Sequence, residues 1–224
     1  FVACDTSNIN IVKKIIKETK NKKLEIIPKF GLQFFYSKNG RKFLEKFKKH
    51  FFLDLKINDI STTARYAIKS IKDLKNCRYI TIHANGGLNM MKAIKKETKK
   101  TNKKIKVLGV TVLTSLNNKA LKQTGHTKNI NQIVLKQASL IKKSGCDGIV
   151  CSAQEAKIIK KKYKSLFVLT PGIRLPGDKK DDQSRVVTPF DALIKTKVDA
   201  IVMGRSLTKN NIKKNVQRLI DHIY

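Results

Sequence analysis

No apolar run in these 224 residues approaches the about 18 that a membrane-spanning helix needs. The chain is therefore not expected to act in a membrane. Cysteine is sparse, at Cys4, Cys77, Cys146 and Cys151. None forms a C-x-x-C pair, and no histidine stands at metal-ligand spacing from them. That excludes the usual zinc frameworks and points to reduced, structural thiols in a cytoplasmic protein. Arginine is scarce too, seven against forty-two lysines, in a chain of net charge +33. Such a charge invites a nucleic-acid reading, through phosphate contacts and counterion release. A recognition surface favours clustered arginine and interleaved aromatics, whereas lysine here is spread over almost every helix beside abundant Asn and Ile. The expectation is a compositional bias on solvated helix faces, with nucleic acid an unlikely partner. The positive field can still speed capture of an anionic substrate. Linkers and low-complexity blocks are missing as well. The Lys-rich stretches 92–106 and 157–164 belong to helix faces and turns, so one domain is expected over 1–224. The opening Phe1-Val2-Ala3-Cys4-Asp5 reads as a short strand, not as a charged leader before an apolar stretch.

What is present is alternation. Hydrophobic residues make up 41% of the chain, enough for a sizeable core. Short β-branched runs lie at 1–5, 25–31, 50–55, 79–84, 106–113, 148–152, 167–171 and 200–204. Amphipathic stretches separate them. Ile11-Val12 with Ile15-Ile16 is one apolar stripe at helical spacing. Ala67-Ile68 with Ile71 and Leu74 is a second, and Ile212, Val216 and Leu219-Ile220 close the chain. Strand and helix repeated eight times imply parallel pairing. Eight units in this length fit a (β/α)8 TIM barrel better than an open sheet.

A barrel gathers its active site at the C-terminal ends of its strands. Those ends carry Asp5, Lys29 before Gly31, Asp54 with Lys56 and then Asp59, His83-Ala84-Asn85-Gly86-Gly87, Thr114-Ser115, Cys151-Ser152, Thr170 to Arg174, and Gly204-Arg205-Ser206. Asp54 and Lys56 lie two apart, which puts both on one face of their strand. The apolar run Phe51-Phe52-Leu53 leads that face into a core, where charges are costly unless paired. An Asp–Lys pair alone reads equally as structural. Lys29 and Asp59 make four alternating charges, which favours electrostatic catalysis. Gly204-Arg205 and the Pro171-Gly172 turn occupy the position where barrels bind phosphate, with backbone N–H groups and a planar guanidinium. The long polar loop from Arg174 to Gln183 suits a mobile lid. His83 reads as a hydrogen-bonded structural residue, and Met90-Met91 as helix packing.

Taken together, these segments resemble the orotidine 5′-monophosphate decarboxylase family, in its bacterial branch. Asp54-Leu55-Lys56-Ile57-Asn58-Asp59-Ile60-Ser61-Thr62-Thr63 is similar to that family's D-L-K-x-x-D-I-x-x-T signature. His83-Ala84-Asn85-Gly86-Gly87 with Met90-Met91, Val110 to Ser115, Asp147 to Ala156, Thr170 to Arg185 and Val202 to Thr208 extend the likeness over nearly the whole chain. The resemblance implies cofactor-free, metal-free decarboxylation of orotidine 5′-monophosphate to uridine 5′-monophosphate in pyrimidine synthesis, by a homodimer with shared active sites. It makes Lys56 the general acid that delivers a proton to C6, with Asp54 beside the substrate carboxylate. Asp59 and Thr63 come from the partner subunit. Lys29 and Asp5 contact the ribose, and Thr114, beside Ser115, reads the pyrimidine edge. Gln183 bridges base and phosphate from the lid, Arg205 and the Gly204 backbone grip the phosphate, and Arg174 joins the ligand contacts. Where family members often carry His and Pro, this chain has Asn58 and Ser61, which bears on loop rigidity rather than chemistry.

Two other readings stand beside this one. A metal-dependent sugar-phosphate decarboxylase of the same superfamily shares D-x-K-x-x-D on strand three, but binds magnesium through an acidic residue on strand two. Here strand two carries Lys29, which repels a metal. A basic nucleic-acid-binding barrel without catalysis is the other.

Overall fold

Each of the eight apolar runs overlaps a strand. The computed structural model describes residues 1–178 and 186–224. Its strands are β1 (Val2–Ala3), β2 (Pro28–Gly31), β3 (Phe51–Ile57), β4 (Cys77–His83), β5 (Lys106–Val110), β6 (Gly148–Val150), β7 (Phe167–Thr170) and β8 (Ala200–Ile201). All pair in parallel and in chain order. A bridge between Val2 and Met203 joins the last strand to the first. Ala3 N–H donates to the Met203 carbonyl at 2.8 Å, and Met203 N–H to the Phe1 carbonyl at 2.9 Å. The sheet thus closes into a (β/α)8 barrel, which leaves no unpaired edge. Most strands are shorter than the apolar runs. Residues just past their ends, among them Val112, Pro171 and Gly204, leave the ladder and line the barrel mouth.

Alternation along each strand sorts the side chains. Phe51 and Leu53, Ile80 and Ile82, Ile149, and Val168 face outward and join the large core under the helices. Phe52, Leu108 and Leu169 face inward and form a separate apolar cluster with Phe1, Tyr79, Val150, Phe167 and Val202. That cluster closes the barrel floor, and the charged residues Lys29, Asp54 and Lys56 follow at the mouth.

The helices are amphipathic, as their spacing predicts. Ile212, Val216, Leu219 and Ile220 are buried on the helix Ile212–Ile223. In the helix Ile9–Glu18, Val12 and Ile15 are buried, while Ile11 is left 47% exposed. Side-chain caps start several helices, including a reciprocal box between Asn129 and Gln132 that satisfies two orphan N–H groups. Among the described residues, no helix is long and apolar enough to cross a membrane. All four cysteines are buried thiols outside any disulfide, and desolvation, the largest effect, pushes the Cys4 and Cys77 thiols up to about 12.

The strand entrances carry a repeated clasp. Asp147 N–H donates to the Val107 carbonyl at 2.9 Å, and Val107 N–H returns a bond to Asp147 Oδ2 at 2.7 Å. Asp199 does the same with Val168, at 3.0 and 2.7 Å. Each carboxylate also holds a helix lysine, Lys95 for Asp147 and Lys160 for Asp199. The two clasps open the similar segments Asp147-Gly148-Ile149-Val150 and Asp199-Ala200-Ile201-Val202.

Candidate active site

A cavity of about 570 Å³ opens at the C-terminal ends of the strands. Its wall includes Asp5, Lys29, Asp54, Lys56, Thr114, Arg174, Gly204 and Arg205, eight of the residues singled out in the sequence. Apolar Val110, Val112, Leu113, Val150 and Leu169 line it as well. The arrangement is a concave, largely apolar chamber with a few convergent polar groups, as ligand sites commonly are.

Asp54 is the hub of the charged cluster. Its Oδ2 accepts from Lys29 Nζ at 3.0 Å and from Lys56 Nζ at 2.9 Å. Its Oδ1 accepts from the Thr81 hydroxyl at 2.8 Å. Lys29 Nζ also donates to Asp5 Oδ1 at 3.3 Å. Burial by itself would raise the Asp54 pKa, but Lys29, Lys56 and the hydrogen bonds together outweigh it and lower it to about 2. Burial likewise works against the Lys29 ammonium, and Asp54 and Asp5 override it, raising that pKa. Gly31 leaves room for this pairing, since a Cβ there would stand 3.2 Å from Asp5 Oδ1 and 3.5 Å from Lys29 Nζ.

Lys56 reaches the cavity by an irregular route. Its φ is +49°, in the left-handed region that L side chains avoid. The β3–β4 pairing passes from Leu53↔Ile80 to Ile57↔Ile82, with more residues on β3 than on β4 between those points. That is a bulge, which re-aims a side chain. Regular alternation thus correctly orients Asp54 but does not describe Lys56, which converges on Asp54 because the ladder breaks between them.

The opposite wall is basic. Gly204 precedes the short helix Arg205–Thr208, and Gly172 has φ +76° in the turn after β7. Arg174 is buried and donates to the Ile173 carbonyl at 3.1 Å. Arg174 and Arg205 also border a smaller hollow of about 210 Å³ with Lys209 and Arg218. Asp59 and Thr63 behave differently. Both are exposed and do not line the cavity of their own chain. They sit where the helix Ser61–Ser70 begins, beside Ile60 at 72% exposure and Tyr66 at 53%. Gln183 and Arg185, from the lid segment, lie outside the described residues.

The family model described as orotidine 5′-phosphate decarboxylase / HUMPS family matches residues 1–219. The chain belongs to this family. It is 38% identical over 226 residues to the orotidine 5′-phosphate decarboxylase of Buchnera aphidicola subsp. Schizaphis graminum, across 93% of this chain and 95% of that protein. It is 38% identical over 221 residues to the orotidine 5′-phosphate decarboxylase of Wolbachia sp. subsp. Brugia malayi, across 97% and 95%. Among solved structures, that of orotidine 5′-phosphate decarboxylase from Lactobacillus acidophilus superposes with a TM-score of 0.82 at 28% identity, covering 99% of this chain and 97% of that one.

Family motifs drew attention to the charged residues and passed over Thr81. Its hydroxyl is 1% exposed as part of its residue, inside the network. The only signal is that Tyr79, Thr81 and His83 share the alternating face of β4 that looks inward. His83 itself accepts from Asn85 N–H at 3.3 Å and caps the turn Ala84–Gly86. Burial and the nearby Lys56 lower its pKa. It is hydrogen-bonded, as its position suggested, and Met90 and Met91 are buried packing residues.

Proposed function

We propose that residues 1–224 form one barrel domain that decarboxylates orotidine 5′-monophosphate to uridine 5′-monophosphate without a cofactor. The observation that carries this is the chain Asp5–Lys29–Asp54–Lys56 inside the cavity. Loss of carbon dioxide breaks the C6–carboxylate bond and leaves the electron pair on C6. With no cofactor as electron sink, stabilisation falls to fixed charges and a nearby proton. Lys56 supplies that proton to C6 and regains one from water. Asp54, held ionised, lies beside the substrate carboxylate and disfavours it until it departs as a neutral gas. Lys29 and Asp5 take the ribose, Thr114 the pyrimidine edge, Arg205 with the Gly204 backbone the phosphate. Arg174 joins them, and Gln183 completes the grip from the lid. Phosphate contacts remote from C6 contribute binding energy to closure around the reacting centre. The barrier reduction required lies near the upper end for enzymes, about 20 kcal/mol or more, which no single contact supplies.

The site is completed by a second copy of the chain. Asp59 and Thr63 are exposed and do not line the cavity of their own chain, and their segment presents Ile60 and Tyr66 to solvent. That combination suits residues that act across a homodimer interface. Magnesium-dependent sugar-phosphate chemistry fits less well, because the Lys29 ammonium already bridges Asp5 and Asp54.

The test is an ultraviolet assay of orotidine 5′-monophosphate loss, run on the wild type and on mixed subunits. Asp59→Ala and Lys56→Ala homodimers are each expected to be inactive. Exchange between them rebuilds one intact site per heterodimer, so part of the activity returns. Absence of wild-type turnover refutes the substrate, and absence of recovery after verified exchange refutes the shared site.

A further inference from the structure

Thr81 ties both ends of Lys56 into one hydrogen-bonded ring. Its Oγ1 accepts the backbone N–H of Lys56 at 2.9 Å and donates to Asp54 Oδ1 at 2.8 Å. Asp54 Oδ2 in turn accepts from Lys56 Nζ at 2.9 Å. The direction of each bond is forced. An ionised carboxylate can only accept, so the single hydroxyl proton of Thr81 goes to Asp54. A lone pair is left for the Lys56 N–H. That N–H belongs to the residue at φ +49°, inside the bulge where the β3–β4 ladder is interrupted. A buried amide without a partner is destabilising, and left-handed backbone at a non-glycine residue persists only when its surroundings hold it. Thr81 supplies that hold from the neighbouring strand while it also orients the carboxylate to which the Lys56 ammonium is bound.

We infer that Thr81 is a positioning residue for the reaction proposed above. It sets where Lys56 Nζ stands relative to the reacting carbon, and it acts through Lys56 and Asp54. This rests on Lys56 being the proton donor to C6. It does not depend on contact between Thr81 and the substrate. A threonine that merely filled space would be replaced without loss by valine, which has the same shape and no hydroxyl.

The experiment compares Thr81→Val with Thr81→Ser, using kcat and KM for orotidine 5′-monophosphate, with binding of uridine 5′-monophosphate to count competent sites. Thr81→Val is expected to lower kcat by about 10- to 100-fold, the effect of losing a hydrogen bond to a charged group and stranding an amide. Its KM stays within about threefold, because groups that hold the phosphate and ribose are untouched. Thr81→Ser keeps the hydroxyl and retains kcat within about threefold of wild type. If Thr81→Val does not accumulate as folded protein, Thr81→Cys, with a weak thiol donor, carries the same expectation. A hydroxyl-free variant with near-wild-type kcat per competent site overturns the inference. So does a Thr81→Ser variant as impaired as Thr81→Val. A wild type without turnover would instead overturn the decarboxylase reading, so the two failures are told apart.

Discussion

Removing the Asp54 charge while keeping its shape, as Asp54→Asn, should destabilise the fold in a pH-dependent way. In the wild type the carboxylate titrates at about 2 instead of 3.8. At about 1.4 kcal/mol per unit, that difference represents about 2 kcal/mol of stabilisation at neutral pH. The substitution also leaves the Lys29 ammonium in an almost enclosed position, with Asp5 at 3.3 Å as its remaining carboxylate. Asp5 is more than half exposed, so it compensates only in part. Breaking a buried ion pair typically costs about 3–5 kcal/mol. Because Asp5 still helps, the lower end applies, about 3 kcal/mol, or a fall of about 6–12 °C in Tm for a chain of this length. The sign of the pH effect follows from the depressed pKa. The contribution is fully present above the ordinary carboxylate range and is lost as pH falls from about 4 to about 2. About 1 kcal/mol of it should be gone by pH 3, so the gap between wild type and variant narrows there. Urea unfolding followed by circular dichroism at pH 7, 5, 3.5 and 3 measures this gap directly. No gap at pH 7, or a gap unchanged down to pH 3, would refute the electrostatic account of Asp54.

Lys56→Ala removes the proposed proton donor from a partly exposed position, so it should fold and bind uridine 5′-monophosphate while turnover falls by about 10³-fold or more. Single-turnover kinetics with the binding measured in parallel would expose the error if catalysis stayed near normal. Turnover should also be indifferent to prolonged dialysis against a chelator. Activity lost to the chelator and restored by magnesium would favour the sugar-phosphate alternative.

The barrel was legible because parallel strands buried on both faces leave continuous β-branched runs, separated by helical stripes. Strand limits were less so. Val112 looks like a strand residue from its type, yet it sits past the last ladder bonds, where the chain opens to line the cavity. Asp54 and Lys29 could be read because charges inside apolar strands conflict with burial unless they have a task. The meeting of Lys56 with Asp54 was expected from a regular pleat, and it arises from a bulge that no residue-type pattern announces. Thr81 was missed for a related reason. A threonine is ordinary in a strand, and its importance depends on the neighbouring strand's irregularity.

The clasps at Asp147 and Asp199 set how this chain tolerates mutation. Acidic residues number sixteen against forty-nine basic ones. A helix lysine lost from Lys95 or Lys160 removes one partner and leaves each aspartate still capping a strand N–H. Loss of either aspartate removes the strand bond and the ion pair together. Tolerance therefore divides by the sign of the charge. Drift can add or delete lysines on helix faces almost freely, whereas the few carboxylates at the barrel floor are held in place by what the strands require of them.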